Sequence, residues 1–163
     1  MVESQRGVRE EVPPLIVMPG EGHTHPGPFS NLVLKADSQS THGMYSLHEE
    51  TLEPGAGGPP VHTHVDQEEA FYVIEGELTM VLGEDVIAAP AGTFVLVPSG
   101  WRHGFANRTK GVVRFLGIFS PRGFDHGFEE IGKLVASGAD PAEVRALGEK
   151  YGVVITGRPL GAR

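Results

Sequence analysis

Four residues near the middle of the chain have the types and the spacing of a metal site. His62 and His64 stand two apart at the predicted start of a strand. Glu69 follows after a short loop, and His103 belongs to a later predicted strand. Residues i and i+2 of a strand point to the same face, so both imidazoles of the first pair can reach one point. Three imidazoles and a carboxylate suit one divalent transition metal ion (Fe, Mn, Ni, Co, Cu or Zn) rather than Ca or Mg, which prefer oxygen ligands.

Short apolar runs separated by turn residues predict the strands that must position these side chains. Their spacing is typical of a sandwich or barrel, not of a parallel sheet with crossover helices. We expect a flexible arm over residues 1–12 and a loop over residues 19–28, where Gly, Pro and His are frequent. The predicted strands cover residues 15–17 (a short edge strand), 32–36, 44–52, 61–64, 70–75, 77–82, 86–89, 93–97, 104–107 and 112–119.

The apolar period changes from that of a strand to that of a helix after residue 120. Four side chains recur at steps of four, three and four, which is one face of a helix. Asp140 followed by Pro141 is typical of a helix start, with Asp as the N-cap. We therefore predict two short helices over residues 124–152, on the outside or across one mouth of the barrel. The four apolar residues are Phe124, Phe128, Ile131 and Val135.

An HxH pair alone is weak evidence for a metal site, but two longer motifs contain the four candidate ligands. The first motif runs Gly55 … His62-Thr63-His64 … Glu69 … Gly76, and the second runs Gly92 … Pro98-Ser99-Gly100 … His103 … Asn107. In both motifs the chain resembles the cupin superfamily, although the first Gly precedes the first His by six residues instead of the family's five. The resemblance implies an all-β fold: the cupin double-stranded β-helix, a jelly-roll barrel. We expect its core over residues 32–119 in a single domain spanning residues 1–163.

The acidic ligand has two candidates, because Glu68 and Glu69 are adjacent and the family tolerates either interval. We assign Glu69, since its distance to Gly76 and the apolar residues 71–73 that follow it fit the motif better. Glu68 is then a solvated neighbour. In the same motifs, we expect Gly76 and Gly92 to be turn residues with positive φ.

The C-terminal helices and the ligand spacing are similar to those of monocupins related to quercetin 2,3-dioxygenase. This narrower resemblance implies a dioxygenase acting with dioxygen on a small aromatic or enol substrate of flavonol type. Glu69 would then be the general base that takes the substrate's hydroxyl proton. Two alternatives stay open: a metal-dependent isomerase, epimerase or cyclase of a small carbonyl compound, and a non-catalytic cupin that binds a small molecule.

Several apolar and aromatic side chains around the ligands are candidates for a substrate pocket, although most of them can equally be core. A second HxH pair, His23-Thr24-His25, lies among Gly and Pro, so we expect a loop surface there and not a second metal site. We interpret His42, His48 and His126 as surface residues or as satisfied polar residues. The pocket candidates are Tyr45, Leu47, Tyr72, Met80, Trp101, Phe105, Phe115 and Phe119.

Composition limits the partners. The 163 residues include 13 basic and 21 acidic side chains, a net charge of −8, which disfavours nucleic acid and anionic membranes as partners. There is no cysteine, which excludes disulfides and thiolate chemistry. Residues 1–11 lack the apolar stretch of a signal peptide, so we expect a cytoplasmic protein. Uncovered strand edges at 15–17 and 32–36 would favour a homodimer.

Overall fold

Eleven strands and two helices make up the structure, a computed structural model that describes residues 13–26 and 30–161. The predicted arm over residues 1–12 lies outside the described residues. In chain order the strands are β1 His23–Pro26, β2 Asn31–Ala36, β3 Ser46–Leu52, β4 Pro60–His64, β5 Glu68–Glu75, β6 Glu77–Leu82, β7 Asp85–Pro90, β8 Phe94–Val97, β9 His103–Ala106, β10 Val113–Ser120 and β11 Val153–Pro159. The helices are α1 Asp125–Ala136 and α2 Pro141–Lys150.

The strands form two antiparallel sheets that face each other as a jelly roll. One sheet has the order β1-β2-β3-β10-β5-β8, and the other has the order β11-β4-β9-β6-β7. The predicted all-β jelly roll with two short C-terminal helices is therefore confirmed. Gly76 and Gly92 have φ of 76° and 89°, as the turns between strands require.

A hydrophobic core fills one end of the space between the sheets. Its buried side chains come from both sheets and alternate with outward-facing residues along each strand. On β3 the inward row changes from Ser46, His48 and Glu50 to the fully buried Leu52. The core is thus apolar at one end, and polar groups line the other end. The core cluster consists of Leu52, Phe71, Val73, Leu78, Met80, Ala89, Val97, Phe105, Val113 and Phe115.

The two helices follow the last strand of the first sheet and pack across the polar end. Asp140 caps α2, because its side chain accepts a hydrogen bond of 2.7 Å from the backbone N–H of Ala142. The sequence did not predict β11, which follows α2 and pairs with β4. None of the helices in the described residues is long and apolar enough to cross a membrane.

Two predicted features of the N-terminal region are wrong. Residues 15–17 do not form a strand, and the segment predicted as a loop contains β1, which pairs with β2. Strand β2 is consequently an interior strand between β1 and β3 and offers no free edge. The sheet edges proposed for dimerisation are therefore not available. In the described residues the edge strands are β1 and β8 in one sheet and β11 and β7 in the other.

Candidate metal centre

Three strands bring the four predicted ligands to one place between the sheets. His62 and His64 alternate with Thr63 on β4, so both imidazoles face inward. His103 begins β9 and lies directly opposite His62 in the strand register. Glu69 reaches them from β5 in the opposite sheet. All four side chains are buried, whereas Glu68 is exposed, so it is Glu69 that joins the cluster.

The ligand atoms have the separations expected around a single ion. The Nε2 atoms of His62 and His64 are 3.1 Å apart. The Oε2 atom of Glu69 lies 2.8 Å from Nε2 of His103 and 3.3 Å from Nε2 of His64. One ligand atom from each of the four residues lies within 4.8 Å of the others. Ligands bound at about 2.1 Å to one ion are roughly 3 Å apart, so these residues fit a transition metal.

Backbone carbonyls fix the tautomers of two of the imidazoles. Nδ1 of His62 donates to the carbonyl of Pro60 at 2.7 Å, and Nδ1 of His103 donates to the carbonyl of Trp101 at 2.9 Å. Because a neutral imidazole carries one proton, Nε2 of His62 then presents a lone pair to the centre, and Nε2 of His103 does so once it releases the proton that it donates to Glu69. Partners of this kind orient the ligand rings of metal sites. Two local turns thus prepare both rings for coordination.

Burial and mutual contacts shift the pKa values of this group in different directions. Burial, together with the nearby His103 and His64, lowers the pKa of His62 from 6.5 to about 4, so its imidazole is neutral at pH 7. Burial alone would raise the pKa of Glu69, but hydrogen bonds from His103 and His64 outweigh it and hold the pKa well below its usual range. Burial alone would lower the pKa of His103, but the hydrogen bond and the charge of Glu69, together with the carbonyl of Trp101, outweigh it and raise the pKa. The carboxylate and the His62 lone pair are therefore ready for a cation.

Comparisons with known proteins agree with this architecture. The family model that describes the cupin domain matches residues 48–119. The fold is that of a cupin. Among curated protein sequences, none matches the chain.

Several solved structures superpose on most of the chain. A predicted oxalate decarboxylase from Thermotoga maritima shares 18% identity with a TM-score of 0.61, covering 65% of this chain and 98% of that one. KdgF from a Halomonas species shares 20% identity with a TM-score of 0.58, covering 68% of this chain and 96% of that one. The polyketide cyclase RemF from Streptomyces resistomycificus shares 23% identity with a TM-score of 0.56, covering 64% of this chain and 78% of that one. At these identities the likenesses show the fold alone.

The ligand cluster opens into a cavity of about 280 Å³ at the polar end of the barrel. His62, His64 and Glu69 form part of its wall. Both helices contribute to the remaining wall, which is mostly apolar, so they cover the mouth of the barrel. The apolar wall includes Leu32, Phe105, Phe124, Phe128, Ile131, Val135, Val144, Val153 and Ile155.

Of the eight predicted pocket residues, Phe105 lines this cavity. Met80 and Phe115 are fully buried in the apolar core, and Phe119 packs edge-on against the His64 ring at 5.1 Å between centroids. Tyr45, Leu47, Tyr72 and Trp101 do not line it: Leu47 is half-buried and the three aromatic residues are 42%, 46% and 54% exposed. The prediction for these four is wrong. Leu47 on β3 alternates with the inward residues Ser46 and His48, and Tyr72 on β5 alternates with Phe71 and Val73. Tyr45 and Trp101 lie just before β3 and β9.

Three polar residues of the cavity escaped the sequence prediction. His48, expected at the surface or as a satisfied polar residue, is 1% exposed and lines the cavity beside Glu50. His25 lies on β1 and not in a loop, and its imidazole also lines the cavity. Burial, followed by the charge of His23, lowers the pKa of His25. The sequence does indicate that His48 and Glu50 face inward, because they stand four and two residues before the apolar Leu52 on the same strand and therefore share its face. By contrast, His42 and His126 are exposed, as expected.

Proposed function

We propose that this cupin is a metal-dependent dioxygenase that acts on a small aromatic or enol substrate of flavonol type. One observation carries the proposal: a cluster of three imidazoles and one carboxylate forms part of the wall of an internal cavity that is otherwise mostly apolar. A closed structural metal site has no such cavity beside its ligands, whereas a catalytic site keeps a position open for substrate. Apolar walls suit a flat aromatic molecule with few polar groups.

The ligand set supports one divalent ion held by Nε2 of His62, His64 and His103 and by Oε2 of Glu69. When bound, such an ion lowers the pKa of a coordinated hydroxyl and stabilises the resulting oxyanion. The side chains of the chain supply the rest. Phe105 and Phe124 bound the cavity, exclude water and orient the rings of the substrate.

Glu69 is the group of the chain that can accept the substrate's hydroxyl proton beside the ligands. Its carboxylate is 4% exposed and lines the cavity, so it contacts both the imidazoles and the substrate. Proton transfer to a positioned carboxylate contributes 10²–10⁴-fold to a rate in typical cases. The Glu69→Gln variant separates this role from ligation, because it keeps an oxygen donor and removes the proton acceptor.

The test is an oxygen-uptake screen with purified protein whose metal content is known from elemental analysis. The protein is reconstituted separately with Fe²⁺, Mn²⁺, Co²⁺, Ni²⁺ and Cu²⁺, and flavonols, catechols and enols are offered as substrates. Oxygen consumption that depends on the metal and is lost in His103→Ala supports the proposal. Full metal loading without oxygen uptake on any of these substrates contradicts it.

A second candidate is proton-transfer chemistry, such as the cyclisation or isomerisation of a carbonyl compound. The observation that favours it is the buried His48–Glu50 pair, an imidazole and a carboxylate that lie in the cavity but outside the ligand cluster. Such a pair can give and take a proton. Conversion of a carbonyl compound to an isomer without oxygen uptake would select this candidate.

A further inference from the structure

The His48–Glu50 pair is a polar feature of the cavity that the four ligands do not explain. Both residues belong to the inward row of β3, and they are 1% and 6% exposed. Burying a carboxylate and an imidazole costs free energy unless each finds a hydrogen-bond partner. Their position inside a mostly apolar cavity therefore requires a compensating interaction.

The two side chains do not form a hydrogen bond with each other. Nε2 of His48 and Oε2 of Glu50 are 3.6 Å apart, longer than a normal hydrogen bond. Within residues 13–26 and 30–161, Nδ1 of His48 also has no hydrogen-bond partner. A hydroxyl group both donates and accepts. It can therefore donate to the carboxylate of Glu50 and accept from an N–H of His48.

The fold makes specific room for the His48 ring. On the adjacent strand β10, Gly117 is its partner in the register, and a Cβ atom there would lie 2.2 Å from Nε2 of His48. Phe119 stacks on the ring at 5.7 Å between centroids, and Phe128 of α1 meets it edge-on at 5.1 Å. A glycine on one side and two aromatic rings on the others hold the imidazole in place.

This pair lies at some distance from the ligand cluster. Phe119 contacts both the His48 ring and the His64 ring, so these two imidazoles are separated by one aromatic side chain. In the first sheet, Glu69 and His48 lie on β5 and β3, with β10 between them. The ring centroids of His48 and Phe119 are 5.7 Å apart and those of Phe119 and His64 are 5.1 Å apart, so the two imidazoles lie within the reach of one fused two-ring molecule.

We propose that His48 and Glu50 bind a second hydroxyl group of the substrate, at the end of the molecule remote from the metal ligands. This inference rests on the proposed function and specifies its substrate class: a flavonol-type molecule with an enol hydroxyl at the ligand cluster and a further hydroxyl on a distant ring. His48 and Glu50 then determine specificity. A substrate without the second hydroxyl leaves both groups buried and unpaired, which a site of this kind penalises strongly.

The experiment compares flavonols that differ by one hydroxyl. The protein is loaded with Zn²⁺, which is redox-inactive, so the flavonol is bound but not consumed. Binding of 3-hydroxyflavone, 3,7-dihydroxyflavone and 3,4′-dihydroxyflavone is followed by the absorbance change of the chelated 3-hydroxy-4-keto group. For wild type we expect one dihydroxyflavone to bind at least about 10-fold more tightly than 3-hydroxyflavone.

Two variants remove the second interaction. His48→Phe keeps an aromatic ring against Phe119 and Phe128 but has no nitrogen, and Glu50→Gln keeps the volume but loses the charge. In both variants we expect the affinity for the preferred dihydroxyflavone to fall to within about 2-fold of that for 3-hydroxyflavone, with zinc content unchanged. The matched control is His126→Gln, because the His126 side chain is 77% exposed and lies outside the cavity wall, and we expect it to keep the preference.

The possible failures are distinguishable. If zinc-loaded wild type shifts the absorbance of all three flavonols but shows no preference, or if both variants keep it, the hydroxyl site is refuted and the proposed function stands. If Zn²⁺ is bound and no flavonol changes its absorbance, the flavonol-type function fails and the hydroxyl site fails with it. Should His48→Phe lose zinc or native circular dichroism, Glu50→Gln alone decides the outcome.

Discussion

The neutral imidazole of His62 should make the stability of the metal-free protein depend on pH. Its pKa is about 4 in the folded chain and 6.5 as an ordinary histidine, because burial, followed by His103 and His64, disfavours its charged form. Between these values the unfolded chain binds a proton that the folded chain does not. The contribution of His62 to the free energy of unfolding is therefore fully present above pH 6.5 and is lost as the pH falls towards 4.

The size of this effect follows from the two pKa values. One pKa unit corresponds to about 1.4 kcal/mol, so the full contribution of His62 is roughly 3 kcal/mol. About 2 kcal/mol of it should be lost between pH 7 and pH 5. The raised pKa of His103 acts in the opposite direction: its stabilisation is present at low pH and is lost as the pH rises through the raised value. The lowered pKa of Glu69 matters only when the pH falls below the ordinary range of a carboxyl.

Urea unfolding in the presence of a chelator, followed by circular dichroism, measures the free energy of unfolding at each pH. His62→Gln removes the titrating group but leaves His103 and Glu69, so the difference between wild type and variant isolates His62. We expect wild type to lose about 2 kcal/mol more than the variant between pH 7 and pH 5. His126→Gln, at an exposed position, should behave like wild type. Equal losses in wild type and His62→Gln would refute the argument.

Three further predictions concern the ligands and the assembly. His103→Ala should lower the metal-to-protein ratio sharply, and an unchanged ratio by elemental analysis would show that His103 is not a ligand. Glu69→Gln should bind metal about 10–100-fold more weakly. With the site resaturated by excess metal, a persistent 10²–10⁴-fold loss of activity identifies Glu69 as the base, and restored activity identifies it as a ligand only. We also expect a homodimer, now through the edge strand β8, whose Phe94 and Leu96 are 61% and 51% exposed. A sedimentation mass near 17.4 kDa at micromolar concentration would contradict it.

The sequence predicted the strands from β2 to β10 to within two residues, because turn residues separate short apolar runs there. It missed β1 and β11 for different reasons. Strand β1 contains His23 to Pro26, whose composition is that of a loop, and its pairing with β2 is a tertiary interaction that local composition does not encode. Strand β11 follows a helix near the end of the sequence, and its run of apolar residues is too short to distinguish a strand from an irregular segment.

The candidate ligands followed from spacing, since the separation of residues along a strand determines which side chains share a face. The cavity wall did not follow in the same way. Tyr45 and Leu47 are pocket candidates because they are apolar and near the ligands in sequence, but strand parity decides which residues face inward, and Ser46 and His48 occupy that face. Where β3 borders the cavity, polar side chains occupy the inward positions, so the usual rule that apolar residues point inward fails on this strand. Only Leu52, at the apolar end of β3, therefore indicates which alternate residues of the strand face inward.

The pairing of β11 with β4 has a consequence for biosynthesis. Strand β4 carries His62 and His64, and its partner Val153–Pro159 is made about ninety residues later. During synthesis all four ligands emerge well before the strand that completes the sheet beside them. Pairings between distant segments form late, because the chain must close a long loop first. We therefore expect the nascent chain to contain all four ligands before the cavity beside them is complete. Metal binding should then follow the pairing of β11 with β4.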